Sequence, residues 1–140
     1  RACADIIEKN NYPIRIGIEH LNKGETNIVN SLADALRMAR EVNRPSIGVT
    51  IDFYHLAVEN EDPDVVLQAR GLVAHLQIGD PKTRAFPRDD AGEPRYRRFF
   101  ENLKKIGCEG RISVEANVAD LDADCRAALA FLRRMTAANP

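Results

Sequence analysis

Four polar residues stand at or near the carboxyl ends of short apolar runs, and they carry the chemistry that this sequence could perform. Three are acidic and one is an amide: Glu19, Asp52, Glu115 and Gln77. If the runs are parallel strands closed into a barrel, these side chains meet at one mouth. Three carboxylates in one place repel each other unless a cation lies between them. Hard oxygen ligands favour Mg²⁺ or Mn²⁺ over Zn²⁺, so the pattern predicts a site for one of those ions.

Apolar runs alternate with helical patterns along the chain, and this alternation predicts the elements that position the four residues. The predicted strands are the runs 14–18, 47–51, 72–78 and 111–115. The predicted helices cover 28–42, the stretch after the Asp62-Pro63 cap, 96–106 and 122–135, and residues 4–10 are expected to end another. Strict alternation predicts an α/β fold with a parallel sheet whose strands are buried on both faces. The long irregular segment 79–95 is a candidate functional loop.

Composition narrows the class of protein. The 140 residues carry 20 Lys and Arg against 21 Asp and Glu, so no basic excess indicates a nucleic-acid partner. No apolar run is long enough to span a membrane, and no membrane partner is predicted. Cys3, Cys108 and Cys125 form no CxxC pair, which favours a reduced, cytoplasmic protein.

Four stretches resemble the sugar phosphate isomerase/epimerase family of xylose isomerase-like TIM barrels. In the family's order they are Ile18-Glu-His-Leu-Asn-Lys-Gly-Glu-Thr-Asn27, Ile51-Asp-Phe-Tyr-His55, His75-Leu-Gln-Ile-Gly-Asp80 and Ile112-Ser-Val-Glu-Ala116. The resemblance covers essentially the whole chain and implies a (β/α)₈ TIM barrel. Because such a barrel needs about 250 residues, residues 1–140 are expected to form its C-terminal half, with four βα units. This half is expected to pair with its missing half or to homo-oligomerise.

The resemblance also implies roles for individual residues. It implies that a divalent metal is held by Glu19, Asp52, Gln77 and Glu115, with Glu19 and Glu115 also acting as the catalytic acid/base pair. It implies that substrate is bound by Glu25, His55 and Arg84. Ketose 3-epimerases of the family usually have His where Gln77 stands, whereas its hydroxypyruvate isomerases and some dehydratases of the superfamily have Gln.

The implied activity is a metal-dependent isomerisation or epimerisation of a sugar or small α-hydroxy carbonyl compound. The metal would stabilise an enediolate while a carboxylate removes and returns a proton. Because Gln stands at position 77, we expect a hydroxypyruvate isomerase-like activity first and a ketose 3-epimerase activity second. The alternatives are a metal-dependent dehydratase and an inactive half-barrel that only associates with a partner. An endonuclease IV-like nuclease would need a His-rich multi-zinc cluster. The chain has 3 histidines, which argues against this class of enzyme.

Overall fold

The computed structural model describes residues 1–137, which form a four-stranded parallel sheet with helices packed against one face. The strands lie side by side in chain order: β1 (Ile16–Glu19), β2 (Ile47–Asp52), β3 (Val73–Ile78) and β4 (Ile112–Val114). All three strand pairings are parallel, as the alternating pattern predicts. The last three residues of the predicted 1–140 unit lie outside the described residues.

Between residues 1 and 137, five α-helices and one 3₁₀ helix connect or flank the strands. They are α1 (Ala2–Lys9), α2 (Leu32–Val42), α3 (Phe53–Val58), the 3₁₀ helix Pro63–Ala69, α4 (Arg95–Lys105) and α5 (Leu121–Thr136). Within residues 1–137, none of these helices combines the length and apolar character needed to cross a membrane.

Helix α2 begins at Leu32, later than the apolar pattern from residue 28 predicts. Its first turn is capped by Ser31, whose hydroxyl accepts the Asp34 N–H at 3.1 Å. The carboxylate of Glu61 accepts the N–H groups of Leu32 and Ala33 at 2.8 and 3.1 Å. Because these bonds satisfy the free N–H groups of the first turn, the helix starts there. Residues 28–31 are left to the loop that follows β1.

Helix α3 is absent from the sequence prediction because strand β2 passes into it without a glycine or proline between them. Asp52 is both the last residue of β2 and the N-cap of α3. Its Oδ1 accepts the Tyr54 N–H at 2.8 Å, which fixes the direction of the carboxylate. Oδ2 is thereby directed away from the helix end.

A cluster of aromatic side chains forms the centre of the core and supports the end of β3. Phe53, Tyr96, Phe99 and Phe131 are fully buried. The rings of Phe53 and Tyr96 stack with centroids 4.2 Å apart. The Tyr96 hydroxyl donates to the Gly79 carbonyl at 3.1 Å, so the core anchors the backbone directly after β3.

Burial differs between β2 and the other three strands. Every residue of β2 is buried, whereas β1, β3 and β4 are partly exposed. In β3, Leu76 and Ile78 are buried while His75 and Gln77 are half-buried, so water reaches one face of that strand. The prediction of burial on both faces is therefore correct for β2 and wrong for β1, β3 and β4.

The sheet is tightly packed around Gly48 in β2. A Cβ atom at this position would overlap the Leu72 carbonyl oxygen, which accepts the Val49 N–H at 2.8 Å and cannot move freely. We therefore expect Gly48→Ala to lower the free energy of unfolding by about 1–3 kcal/mol, measured by urea denaturation. Gly110→Ala is the control because a Cβ there meets no atom of the described residues within 4 Å. Equal stability of the two variants would contradict the prediction.

Candidate active site

The carboxyl ends of the four strands bring the predicted metal ligands together. Glu19 ends β1, Asp52 ends β2, and Gln77 is the register partner of Asp52 in β3. Glu115 directly follows β4, and its N–H donates to the Ile78 carbonyl at 3.1 Å. All four side chains therefore start from the same edge of the sheet.

Three of these side chains each have a buried oxygen without a hydrogen-bond partner among the described residues. These atoms are Glu19 Oε1, Asp52 Oδ2 and Gln77 Oε1. An unsatisfied buried acceptor costs about 1–3 kcal/mol, so several at one place indicate a missing electropositive group. Two carboxylate oxygens and an amide oxygen are ligands that Mg²⁺ and Mn²⁺ accept. The donor set therefore fits a hard divalent cation.

Gln77 and Glu115 orient each other. The Gln77 amide nitrogen donates to Glu115 Oε2, which leaves Gln77 Oε1 as the atom available to a ligand. The Glu115 side chain is the more exposed of the two predicted acid/base carboxylates, at 45% against 30% for Glu19. Glu115 is therefore the more accessible of the two carboxylates.

Burial and mutual repulsion raise the pKa values of the two inner carboxyl groups. Burial raises the pKa of Asp52 to about 7, and the negative charges of Glu19 and Glu115 act in the same direction. Burial also raises the pKa of Glu19, with a further contribution from Glu115. A cation between these groups would favour their ionised forms.

His55 lies in the first turns after β2 and faces the same carboxylates. Its side chain is fully buried, and its Nε2 lies 3.7 Å from Asp52 Oδ2 and 3.9 Å from Glu19 Oε1. Ligand atoms of these three residues all lie within 4.8 Å of one another. Burial lowers the pKa of His55, which disfavours the charged form of the ring.

Arg84 reaches the site from the irregular segment after β3. Its backbone adopts the left-handed conformation with φ of 52°, uncommon for a residue other than glycine. The guanidinium donates to Glu25 Oε1 at 2.7 Å and lies 3.5 Å from Glu115 Oε1. Its Cζ stacks 4.7 Å from the centre of the Tyr54 ring. The strained backbone directs the charge towards the carboxylates.

The predicted site residues form a cluster of two contact groups, which Asn22 joins by bonding to Glu25 and His55. The groups are Glu25, Arg84, Glu115 and Gln77, and Glu19, His55 and Asp52. Two further residues, Asn22 and Tyr54, contact this cluster and are absent from the sequence prediction. Tyr54 lies between Asp52 and His55, in the stretch used to predict the site, and supports Arg84. Asn22 bonds to both His55 and Glu25.

The other two histidines do not join the cluster through hydrogen bonds. His75 lies in β3 and pairs with Ser113 Oγ at 2.9 Å. His20 is fully buried, and neither ring nitrogen has a partner within residues 1–137. A cluster of several histidines around an ion is therefore not present in the described part of the chain.

Comparison with known proteins places these features in a family context. A family model described as a xylose isomerase-like TIM barrel matches residues 1–135. A ketose 3-epimerase from Arthrobacter globiformis is 29% identical over 104 residues, which cover 74% of this chain and 35% of that protein. A 2-oxo-tetronate isomerase from Pectobacterium atrosepticum is 31% identical over 84 residues, 59% of this chain and 31% of that protein.

The fold of this chain is also similar to that of a solved structure. The crystal structure of a D-allulose 3-epimerase from Methylomonas sp. matches with a TM-score of 0.81 and 28% identity. The match covers 94% of this chain and 51% of that one. The chain thus spans about half the length of this solved relative and about a third of the two curated relatives.

Proposed function

Because the chain belongs to the xylose isomerase-like TIM barrel family, we propose that it supplies the metal site of a divalent-metal-dependent sugar isomerase or epimerase. Its substrate is a ketose or another small α-hydroxy carbonyl compound. The ketose 3-epimerase and the 2-oxo-tetronate isomerase among its relatives support this class of reaction. The TIM-barrel fold that the sequence implies is confirmed by the family match.

The observation that carries the proposal is the group of buried oxygens without partners on β1, β2 and β3. Glu19, Asp52 and Gln77 would hold the ion through these oxygens, and Glu115 would complete the set. When bound, such an ion polarises a substrate carbonyl and stabilises the negative charge that develops as a proton is lost. Mn²⁺ or Mg²⁺ suits this oxygen-only set.

Glu19 and Glu115 are the proposed acid/base pair. They extend from β1 and β4, on either side of the two central strands. From these positions one carboxylate removes a proton from the carbon beside the carbonyl, and the other returns a proton from the opposite side. Return to the same carbon inverts it, and return to the neighbouring carbon moves the carbonyl. General acid–base catalysis of this kind contributes about 10²–10⁴-fold.

His55, Arg84 and Glu25 would bind and orient the substrate. Arg84 offers charged donors beside Glu115, which suits the oxygen atoms that gain negative charge. Glu25 accepts from Arg84 and keeps a carboxylate available for a substrate hydroxyl. His55 is fully buried next to the ion ligands, so it contacts the substrate atoms nearest the reacting carbon.

The strands β1 and β4 are the two edges of the described sheet. In a closed barrel every strand has two neighbours. We propose that further βα units, from the same polypeptide or from a second copy, cover these edges in the active protein. Those units would supply the remaining wall of the substrate pocket.

A substrate panel in D₂O tests the proposed reaction. The protein is incubated with Mn²⁺ and with ketoses, hydroxypyruvate and 2-oxo-tetronate, and the products are identified by NMR and mass spectrometry. We expect an isomer or epimer that carries one deuterium at the reacting carbon, and no reaction in a matched sample containing EDTA. A product lighter by one water would instead assign a dehydratase, and turnover that resists EDTA would exclude the metal-dependent mechanism.

A further inference from the structure

Asn22 contacts the His55 ring through two of its own groups, and neighbouring residues hold its side chain in place. Its backbone N–H donates to His55 Nδ1 at 3.1 Å, and its side-chain nitrogen lies 3.0 Å from the same atom. The side-chain nitrogen also donates to Glu25 Oε1 at 2.8 Å. The side-chain oxygen accepts the Gly24 N–H at 2.9 Å, so the orientation of the amide is fixed by its surroundings. Asn22 is itself buried.

These contacts determine which ring nitrogen carries the proton. A backbone N–H can only donate, so His55 Nδ1 must present its lone pair to Asn22. In a neutral imidazole the remaining proton is then on Nε2. Nε2 is the atom that faces Asp52 and Glu19 and has no hydrogen-bond partner among the described residues.

We propose that Asn22 is a positioning residue that locks His55 as its Nε2–H tautomer, so that His55 offers a hydrogen-bond donor, not a metal ligand, to the site. A metal ion needs the lone pair of Nε2, which is available only if the proton moves to Nδ1. At Nδ1 that proton would meet two N–H donors from Asn22 in a buried place. The use of the donor on a substrate oxygen rests on the proposed function, whereas the tautomer itself does not.

Two sets of side chains in this cluster could hold an ion, and the position of the His55 proton decides between them. Glu19, Asp52 and His55 are close enough to bind an ion together. With the proton on Nε2, the third ligand is instead the free oxygen of Gln77. His55 then donates to an oxygen of the bound substrate, and Asn22 links this donor to Glu25 and thereby to Arg84.

Nitrogen NMR of the histidine rings tests the proposal without an activity assay. The protein is labelled with ¹⁵N-histidine, and His55 is assigned through its ring contact with Tyr54, whose centroid is 5.0 Å away. We expect the wild-type protein to hold the proton on Nε2 over Nδ1 by at least about tenfold, because the alternative leaves opposed buried donors. A proton found mainly on Nδ1 would overturn the proposal.

Asn22→Asp gives the matched change. A carboxylate at this position replaces the side-chain donor by an acceptor for a proton on Nδ1, whereas the backbone N–H of residue 22 still faces that atom. We therefore expect the Nδ1–H form to increase by about two- to tenfold over the wild-type protein. Asn60→Asp makes the same chemical change at an exposed position beyond α3 and is expected to keep the wild-type tautomer. Equal spectra for the two variants would contradict the role of Asn22.

Addition of Zn²⁺, a diamagnetic probe, supplies a second and independent readout. In the wild-type protein we expect the Nε2 proton of His55 to persist in the presence of Zn²⁺. Replacement of that proton by a metal-bound nitrogen signal would show that His55 is a ligand and would overturn the proposal even if Asn22→Asp does not fold. The His55 ring signals report the tautomer whether or not the protein turns over a substrate. If the proposed enzymatic function is wrong, these signals still test the role of Asn22 separately.

Discussion

Replacing Glu115 by glutamine is expected to lower turnover by about 10²–10⁴-fold, because the variant cannot exchange a proton with the substrate. Glutamine preserves the size of the side chain and can still accept the hydrogen bond that Gln77 donates. Glu19, Asp52 and Gln77 keep their free oxygens, so the variant should still bind Mn²⁺ at saturating concentration. Solvent deuterium should no longer enter the substrate.

The measurements are the steady-state rate, the metal content after gel filtration and deuterium incorporation by NMR. Glu109→Gln is the control, because Glu109 is exposed in the irregular segment before β4. Full activity of Glu115→Gln would remove Glu115 from the acid/base pair. Loss of the ion together with activity would assign Glu115 to holding the ion.

Replacing Asp52 by asparagine is expected to stabilise the metal-free protein while abolishing its response to Mn²⁺. The Asp52 side chain is 1% exposed and its Oδ2 has no hydrogen-bond partner among residues 1–137, so its charge is costly without an ion. Asparagine retains the oxygen that accepts the Tyr54 N–H and removes the charge. A pKa raised from 3.8 to about 7 corresponds to a gain on the order of 2–4 kcal/mol in the free energy of unfolding at pH 8.

The direction of the pH effect follows from the raised pKa. The folded protein binds a proton on Asp52 more tightly than the unfolded chain, so the stabilisation from protonation is present at low pH. It is lost as the pH rises from about 4 through about 7. The advantage of Asp52→Asn over the wild-type protein should therefore grow between pH 5 and pH 8.

Urea denaturation at both pH values, with and without Mn²⁺, measures these differences. Mn²⁺ should raise the stability of the wild-type protein and leave Asp52→Asn unchanged. The control is Asp122→Asn, since Asp122 forms an exposed pair with Arg126 within α5 and should change stability by no more than about 1 kcal/mol. A variant that is destabilised at pH 8 without metal would refute the account of the buried charge.

The strand ends could be predicted from sequence because a polar side chain interrupts or follows an apolar run at Glu19, Asp52, Gln77 and Glu115. Each of these signals is local, and parallel pairing brings them together. The first residues of the helices are harder to predict from the sequence. The cap of α2 comes partly from Glu61, 29 residues after Leu32, and no local pattern reports that contact.

The contribution of Asn22 could not be predicted for the same reason. Asn22 and His55 are 33 residues apart, and the bond between them exists only once β1 and β2 are paired. The family resemblance predicts Arg84 as a site residue. It does not predict the left-handed backbone there, because that conformation is usually signalled by a glycine and Arg84 is not one. Features that depend on contacts between distant segments therefore required the structure.

The order of strands in the sheet has a consequence for how the site is completed during synthesis. Since neighbours in the sheet are neighbours in the sequence, a chain leaving the ribosome can add each strand to the one before it. The oxygens of Glu19, Asp52 and Gln77 can therefore come together on β1, β2 and β3 before β4 docks. Docking of β4 against β3 then brings in Glu115, which fixes the Gln77 amide, so the proposed ion site and the proposed acid/base pair would be completed in the same step.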